Sequence, residues 1–299
     1  MPKSFKHWGI KVRRFPEKNY HAIWNNLVTL RLGEGVAKQL DFPEFYDVSL
    51  GNKCVTGKCN FCYVSASKTG RYYDDICGRF ERFINLMSQN EKPFQIAIGS
   101  ESEPTEHPDF LKFIKTVYDL GIVPNYTTNG VILSEDTEYV DEMLSVTAKY
   151  CGGVAVSCNK HLEKHWRKAV DKLSNIDVNI NLHVIISDKK SVDRFVDIYN
   201  EYNDKILYFV LLPLMPAGRS TAKYTDEAWE YLLDKIDNLD KSKVSFGAHF
   251  YDSLVKSKDR LATWCYPPES MSANLILDYP VRQTPSSFDI KTTVKEFYL

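Results

Sequence analysis

Cys54-Val-Thr-Gly-Lys-Cys59-Asn-Phe-Cys62 places three thiols within nine residues, directly after the strand-like run Phe45-Tyr-Asp-Val-Ser-Leu-Gly51. Thiolates are the usual protein ligands of iron–sulfur clusters and of many zinc sites, so a loop of this kind can wrap one metal centre. A strand that runs into a ligand-bearing loop also sets a pattern to look for in the rest of the chain.

The pattern repeats. Short apolar runs at Tyr46–Leu50, Gln95–Gly99, Val123–Thr127, Gly153–Ser157, Val178–Ile186, Leu207–Leu214 and Val244–His249 alternate with amphipathic stretches. The latter predict helices near Tyr73–Ser88, Pro108–Leu120, Glu135–Lys149, His161–Leu173, Ser191–Tyr202, Thr225–Asp237 and Tyr251–Lys258, several preceded by Asp or Ser as N-caps. Repeated strand–helix units imply a parallel sheet with right-handed crossovers and chemistry on the loops after the strands. The expected fold is α/β: a partial (β/α)6-type parallel barrel over residues 45–260, an N-terminal lead-in over 1–44 and a small C-terminal β extension over 261–299. In the lead-in, Lys3, Lys6, Lys11, Arg13 and Arg14 alternate with aromatic residues and read as a solvated edge strand or arm, or as a surface for an acidic partner. Ile23, Trp24, Leu27 and Leu30 fall at helical spacing and predict a covering helix over Tyr20–Leu32.

At 299 residues, with 43% hydrophobic content, the chain can bury a sizeable core. Its net charge of −1 gives no global attraction to nucleic acid or to an anionic membrane. No apolar run of about 18 residues and no signal-peptide pattern stand out, so the expectation is a cytoplasmic protein without a membrane span. Seven cysteines, three of them clustered, fit a metal site in a reducing compartment better than a disulfide framework.

Three readings of the cysteine loop are open on spacing. A zinc knuckle needs a fourth ligand nearby, and Cys77 lies inside an expected helix. A two-iron ferredoxin shares the four-then-two spacing, but it also needs a fourth thiolate. The third reading is a four-iron cluster with one iron left open to a substrate or cosubstrate.

Cys59-Asn-Phe-Cys62 after a first barrel strand resembles the radical S-adenosylmethionine (radical SAM) superfamily, with one residue more than usual in the first cysteine gap. The later motifs resemble the family in order. Ile98-Gly-Ser-Glu-Ser-Glu-Pro-Thr-Glu-His-Pro-Asp-Phe110 is similar to its Gly-Gly-Glu-Pro segment and following helix start, with Ser102 where glycine is usual. Thr127-Thr128-Asn129-Gly130 resembles its Thr-Asn-Gly, and Ser157-Cys158-Asn159 ends the fourth strand. The resemblance implies a 4Fe-4S cluster on Cys54, Cys59 and Cys62, and S-adenosyl-L-methionine as cosubstrate. It places Phe61 near the adenine, Glu101, Ser102 and Glu103 at the methionine amino group, and Thr128, Asn129, Ser157 and Asn159 at the ribose or carboxylate. His183, which alternates with Asn181 along the fifth strand, reads as a structural barrel residue or a cosubstrate contact.

Leu212-Pro-Leu-Met-Pro-Ala-Gly-Arg219 resembles a segment of the subgroup that often carries a SPASM extension, with Leu214 and Met215 against the adenine and Arg219 either on a carboxylate or capping the loop. Cys265 and Pro285-Ser-Ser-Phe288 are similar to the start of a SPASM or twitch region, but Ser286 stands where an auxiliary-cluster cysteine is expected, which predicts one cluster per chain. The implied activity is reductive cleavage of S-adenosylmethionine and abstraction of a substrate hydrogen atom, with electrons from an external donor such as a flavodoxin or ferredoxin. The implied substrate is a peptide or protein; a small molecule or nucleotide is the alternative, and a non-catalytic iron–sulfur or zinc scaffold is the reading from another class. Cys158, at a strand end, is a candidate hydrogen donor to a product radical, or simply a small buried residue.

Overall fold

Tyr20, Ala22 and Trp24 are buried while His21 and Ile23 between them are not, a period of two that belongs to a strand. The computed structural model describes residues 9–16, 20–25, 29–33, 42–257, 272–286 and 289–299. In it the lead-in forms a three-stranded antiparallel sheet: β1 (Lys11–Phe15), β2 (Tyr20–Trp24) and β3 (Thr29–Gly33). The helix expected over Tyr20–Leu32 is therefore corrected to two strands. Its apparent 3.6-residue spacing arose from combining Trp24, which points inward, with Leu30, which is 54% exposed on the next strand.

The expectation of solvated cations is also corrected at Arg13, which is buried and donates to the carbonyl oxygens of Phe42, Asn90 and Glu91 at 2.8–2.9 Å. Lys3 and Lys6 lie outside the described residues. Trp24 stacks on Phe94 with ring centroids 6.2 Å apart, and Arg31 pairs with the buried Glu44 at 2.9 Å. Phe94 and Glu44 directly precede barrel strands, so this small sheet covers the amino-terminal ends of the barrel, away from the strand ends that carry the motifs.

The barrel strands are β4 (Phe45–Ser49), β5 (Gln95–Ile98), β6 (Val123–Thr128), β7 (Gly153–Ser157), β8 (Asn179–Ile186), β9 (Tyr208–Pro213) and β10 (Val244–Phe246). They pair in parallel in that order. Helices α1 (Ile76–Ile84), α2 (Phe110–Asp119), α3 (Glu138–Tyr150), α4 (Glu163–Ser174), α5 (Lys189–Tyr202), α6 (Asp226–Ile236) and α7 (Tyr251–Lys256) alternate with them, as the sequence predicts. Among the described residues no helix is long and apolar enough to cross a membrane.

Every second residue of the strands packs outward against the helices: Val48, Ile98, Tyr126, Val156, Leu182 and Leu211 are fully buried there. On α1, Ile76, Phe80, Phe83 and Ile84 form the matching stripe, and each such burial contributes roughly 1.5–3 kcal/mol before ordering entropy. The alternate strand residues face the barrel interior; they include the small or polar Asp47, Ala97, Thr127 and Ser157 on β4 to β7 and His183 on β8, while Ile185 and Leu212 add an apolar side. An interior of this composition leaves room for a ligand instead of closing as a packed core.

The C-terminal run expected as a small β extension contains three strands among the described residues. β11 (Ser272–Ile276) joins the main sheet parallel to β4, in register from Ser272–Phe45 to Ile276–Ser49. β12 (Val281–Thr284) and β13 (Lys295–Phe297) follow antiparallel, giving a ten-stranded sheet among the described residues. Cys265 lies outside the described residues.

Candidate active site

The cysteine loop leaves β4 and is held from two directions, by the segments after β5 and β9. Val55 donates its backbone N–H to both carboxylate oxygens of Glu106, at 2.9 and 3.2 Å. Arg219, just beyond β9, donates Nε to Cys59 O at 2.9 Å and Nη1 to Ala66 O at 2.7 Å, and its backbone N–H donates to Cys62 O at 2.9 Å. Gly218 has φ +60°, and a Cβ there would stand 2.3 Å from the carbonyl oxygens of both Cys62 and Tyr63, so only glycine permits this approach. Arg219 thus caps the loop, one of the two roles expected for it.

The segment after β5 turns at Gly99, whose φ of +148° is also accessible mainly to glycine. Tyr63 Oη donates to Ser100 O at 3.2 Å, and Ser100 Oγ donates to Oδ1 of the fully buried Asn274 on β11 at 2.6 Å. The C-terminal strand thereby buttresses this turn.

Glu103 is buried and accepts from Thr105 Oγ1, Thr128 Oγ1 and Asn129 N, each at 2.7 Å. Burial pushes its carboxyl up, and these donors oppose the shift. It ties the end of β5 to the end of β6. Glu101 is held more loosely, with Tyr73 Oη at 3.4 Å, and burial raises its carboxyl as well. His107 donates Nε2–H to Tyr73 O at 3.0 Å, a tautomer fixed by Asp109 N donating to Nδ1 at 3.0 Å.

These loops enclose a cavity of about 350 Å³ at the carboxyl ends of β4–β9. Cys54, Cys59 and Cys62 line it, as do Phe61, Glu101, Ser102, Glu103, Thr128 and Asn129. Ser157, Asn159, His183, Leu214 and Met215 complete its wall. Cys158 does not line it: that thiol is buried, with Sγ 3.7 Å from Val156 O. Asn181 is likewise not part of the wall.

Thr128 Oγ1 is committed to Glu103 and to the Gly130 N–H, while Asn129 accepts from Val131 N through Oδ1. His183 is pushed down to about 4 by burial and is neutral near pH 7.

Burial raises the Cys54 and Cys59 thiols, and for Cys59 the neighbouring Cys54 and Cys62 add to the shift. Thiols placed close enough to oppose one another's ionisation gain most from a shared cationic centre, which deprotonates its ligands outright. Among the described residues no group of three His, Cys, Asp or Glu side chains is disposed to hold a single metal ion. A four-iron cluster takes one thiolate on each of three separate irons and so asks for thiols set around a cavity, which is the arrangement present. A two-iron site needs a fourth thiolate, and Cys77, Cys151 and Cys158 are buried elsewhere; a zinc knuckle needs four ligands, Cys or His, gathered on one ion, and no such group is found among the described residues. The donor set fits the four-iron group.

Four residues of the site were not singled out by the sequence reading. Asp47 lines the cavity from β4; an acid at an inward position of a strand was its signal. Tyr63 follows the last cysteine. His161 Nε2 lies 3.3 Å from Cys59 Sγ and its ring meets Phe61 edge-on at 5.8 Å; it sits two residues past Asn159. Asn274 had no local signal, because its partner is 174 residues away.

No protein-family model matches the sequence, and no curated protein matches it. Solved structures do. Streptococcus suis SuiB bound to S-adenosylmethionine superposes with a TM-score of 0.65 at 15% identity, over 88% of this chain and 64% of SuiB. SuiB bound to the precursor peptide SuiA gives 0.65 at 16%, over 86% and 63%. Native anSMEcpe with bound AdoMet and the Cp18Cys peptide gives 0.55 at 14%, over 83% and 75%. The chain thus spans slightly under two thirds of the length of SuiB. SuiB and anSMEcpe have both been solved with S-adenosylmethionine bound. The likeness is one of fold: the chain shares with these AdoMet-bound structures an α/β partial-barrel architecture built on a mostly parallel sheet.

Proposed function

We propose that the chain is a single-cluster radical SAM enzyme, with Cys54, Cys59 and Cys62 as ligands of a 4Fe-4S cluster and S-adenosyl-L-methionine in the adjoining cavity. The observation that carries this reading is the lining of one cavity. Three thiols, the Gly99–Glu103 turn, the polar ends of β6 and β7 and the apolar wall after β9 all meet there. When bound, the cluster supplies the electron for reductive cleavage of the sulfonium C5′ bond, the source of hydrogen-atom abstraction from a substrate.

The chain's own residues bind and orient. Phe61, Leu214 and Met215 form the apolar wall for the adenine. Ser157 and Asn159 offer hydrogen bonds to the ribose or the carboxylate. The Gly99–Glu103 turn and Glu101 receive the amino group, since the oxygens of Glu103 already accept from Thr105, Thr128 and Asn129. Glu103 acts as the strut that positions them. Arg219 and Glu106 fix the ligand loop. Cys158 is not part of this cavity; its buried thiol lies against Val156 O and borders the neighbouring cavity.

The substrate is a peptide or protein side chain. Support comes from SuiB and anSMEcpe, whose solved structures hold peptides. Electrons come from an external flavodoxin or ferredoxin, and the protein works in the reducing cytoplasm, where thiolate clusters persist. The test is spectroscopic. After anaerobic loading with iron and sulfide and reduction with dithionite, S-adenosylmethionine is added and the EPR spectrum of the reduced cluster recorded. The reading predicts a changed spectrum; a four-iron protein whose spectrum ignores S-adenosylmethionine would contradict it.

A further inference from the structure

A second cavity of about 550 Å³ opens beside the first, at the carboxyl ends of β7, β8 and β9. The two share Phe61, Asn159, Ile185 and Leu214 as walls, so anything held in the second lies next to whatever fills the first. Its charged lining is one-sided: Lys160, Lys190, Arg194 and Arg219 against Asp188 alone. In a chain of net charge −1, that is a local concentration of positive charge.

The anions nearby are already engaged. Asp188 caps α5, accepting from Ser191 N at 2.9 Å. Glu163, on the neighbouring α4, pairs with Arg167 at 2.8 Å and reaches Arg194 only at 3.9 Å. Arg194 is fixed by Nη1 donating to Cys158 O at 2.6 Å, and its Nη2 is buried without a hydrogen-bond partner. Arg219 is fixed by the two carbonyls of the ligand loop. Lys160 and Lys190 have no ion pair among the described residues. Two anchored guanidinium groups and two lysines around one concavity make a receptor for an oxyanion, because the cost of gathering the charges is recovered only when an anion enters.

We infer that this second cavity is the substrate subsite, and that it recognises a carboxylate or phosphate group on the substrate. Assigning it to substrate rests on the cofactor reading of the first cavity; its affinity for an anion does not. The shared wall sets the geometry: an anionic group anchored among Lys160, Lys190 and Arg194 directs the attached carbon skeleton past Asn159 and Leu214 toward the first cavity.

The experiment titrates the cluster-loaded protein with inorganic phosphate and, separately, with succinate at low ionic strength, by calorimetry. The same titrations are run on a Lys160→Ala/Lys190→Ala variant, and S-adenosylmethionine binding is measured on both proteins. Both substitutions are at exposed positions, so the fold is retained, which thermal melting checks. The expected result is saturable binding of at least one anion, weakened about tenfold or more in the variant, with S-adenosylmethionine affinity unchanged. Phosphate binding alone assigns a phosphorylated substrate, and succinate binding alone an acidic one. No saturable binding of either anion, or equal binding by the variant, overturns the inference. Anion binding in a protein that fails to bind S-adenosylmethionine would instead overturn the cofactor reading, and the substrate assignment with it, while leaving the anion site in place.

Discussion

Arg219 Nε donates to the carbonyl oxygen of Cys59 at 2.9 Å, across 160 residues of sequence. With the second bond to Ala66 O, this planar fork ties the segment after β9 to the ligand loop after β4, and so closes one side of the cavity. A lysine keeps the charge but cannot reproduce two directed bonds. Arg219→Lys is expected to lose about 1.5–3 kcal/mol of stability and to retain less iron after anaerobic reconstitution and desalting. Wild-type iron retention in this variant would show that the fork does not hold the loop.

Gly218 is the tighter constraint. Gly218→Ala puts a methyl group where the Cys62 and Tyr63 carbonyl oxygens stand, at a φ of +60°. The expected outcome is a displaced ligand loop and an iron content well below that of the wild type, while far-UV circular dichroism of the barrel is preserved.

The three loop thiols and the three other described thiols are expected to separate cleanly. Cys54→Ala, Cys59→Ala and Cys62→Ala each lose the cluster, with iron falling from about four per chain, the content of one four-iron group. Cys77→Ala, Cys151→Ala and Cys158→Ala keep it. For Cys158→Ala, a product identical in amount and kind to that of the wild type agrees with a packing role; loss of final product with continued S-adenosylmethionine cleavage would return that thiol to the mechanism.

Much of this arrangement is legible in the sequence, for a local reason. The strand–helix rhythm comes from side-chain periodicity within each unit, and the ligand spacing lies within nine residues, so neither needs distant information. The seven barrel strands and seven helices accordingly fall where the pattern puts them. The errors lie where pairing decides. Tyr20–Trp24 and Thr29–Gly33 fold as strands because Trp24 finds Phe94 and Arg31 finds Glu44, partners that a one-dimensional pattern does not display. Arg13 reads as a surface cation until three backbone carbonyls converge on it. At the site, Phe61 and Met215, singled out from the motifs, do line the cavity. The clamp made by Arg219 and the buttress made by Asn274 depend on long-range contacts.

Glu103 tests the strut. In Glu103→Gln an amide NH2 replaces one acceptor oxygen and faces donors from Thr105 and Thr128 or from Asn129. Leaving a buried donor unpaired costs about 1–3 kcal/mol. The variant is expected to melt lower and to bind S-adenosylmethionine more weakly, with the iron content unchanged. Unchanged affinity would mean that the ends of β5 and β6 hold their positions without it.

His183 gives a pH signature. Its folded-state value is lowered to about 4 by burial, against about 6.5 for an unfolded histidine. The unfolded chain therefore takes up this proton first as pH falls. The stability due to the neutral side chain is fully present above about pH 6.5, declines as pH drops toward 4 and is lost below that. Melting temperatures measured from pH 4 to 8 are expected to fall less steeply on the acid side for His183→Gln than for the wild type. Parallel curves would place His183 in a solvated environment.

The measurement that tests the central claim most directly is anaerobic. The reconstituted protein is incubated with dithionite and S-adenosylmethionine, and 5′-deoxyadenosine is quantified by chromatography beside a Cys59→Ala control. The account predicts 5′-deoxyadenosine from the wild type and none from the variant. Its absence from a fully loaded four-iron protein that binds S-adenosylmethionine, or equal amounts from Cys59→Ala, would contradict the account.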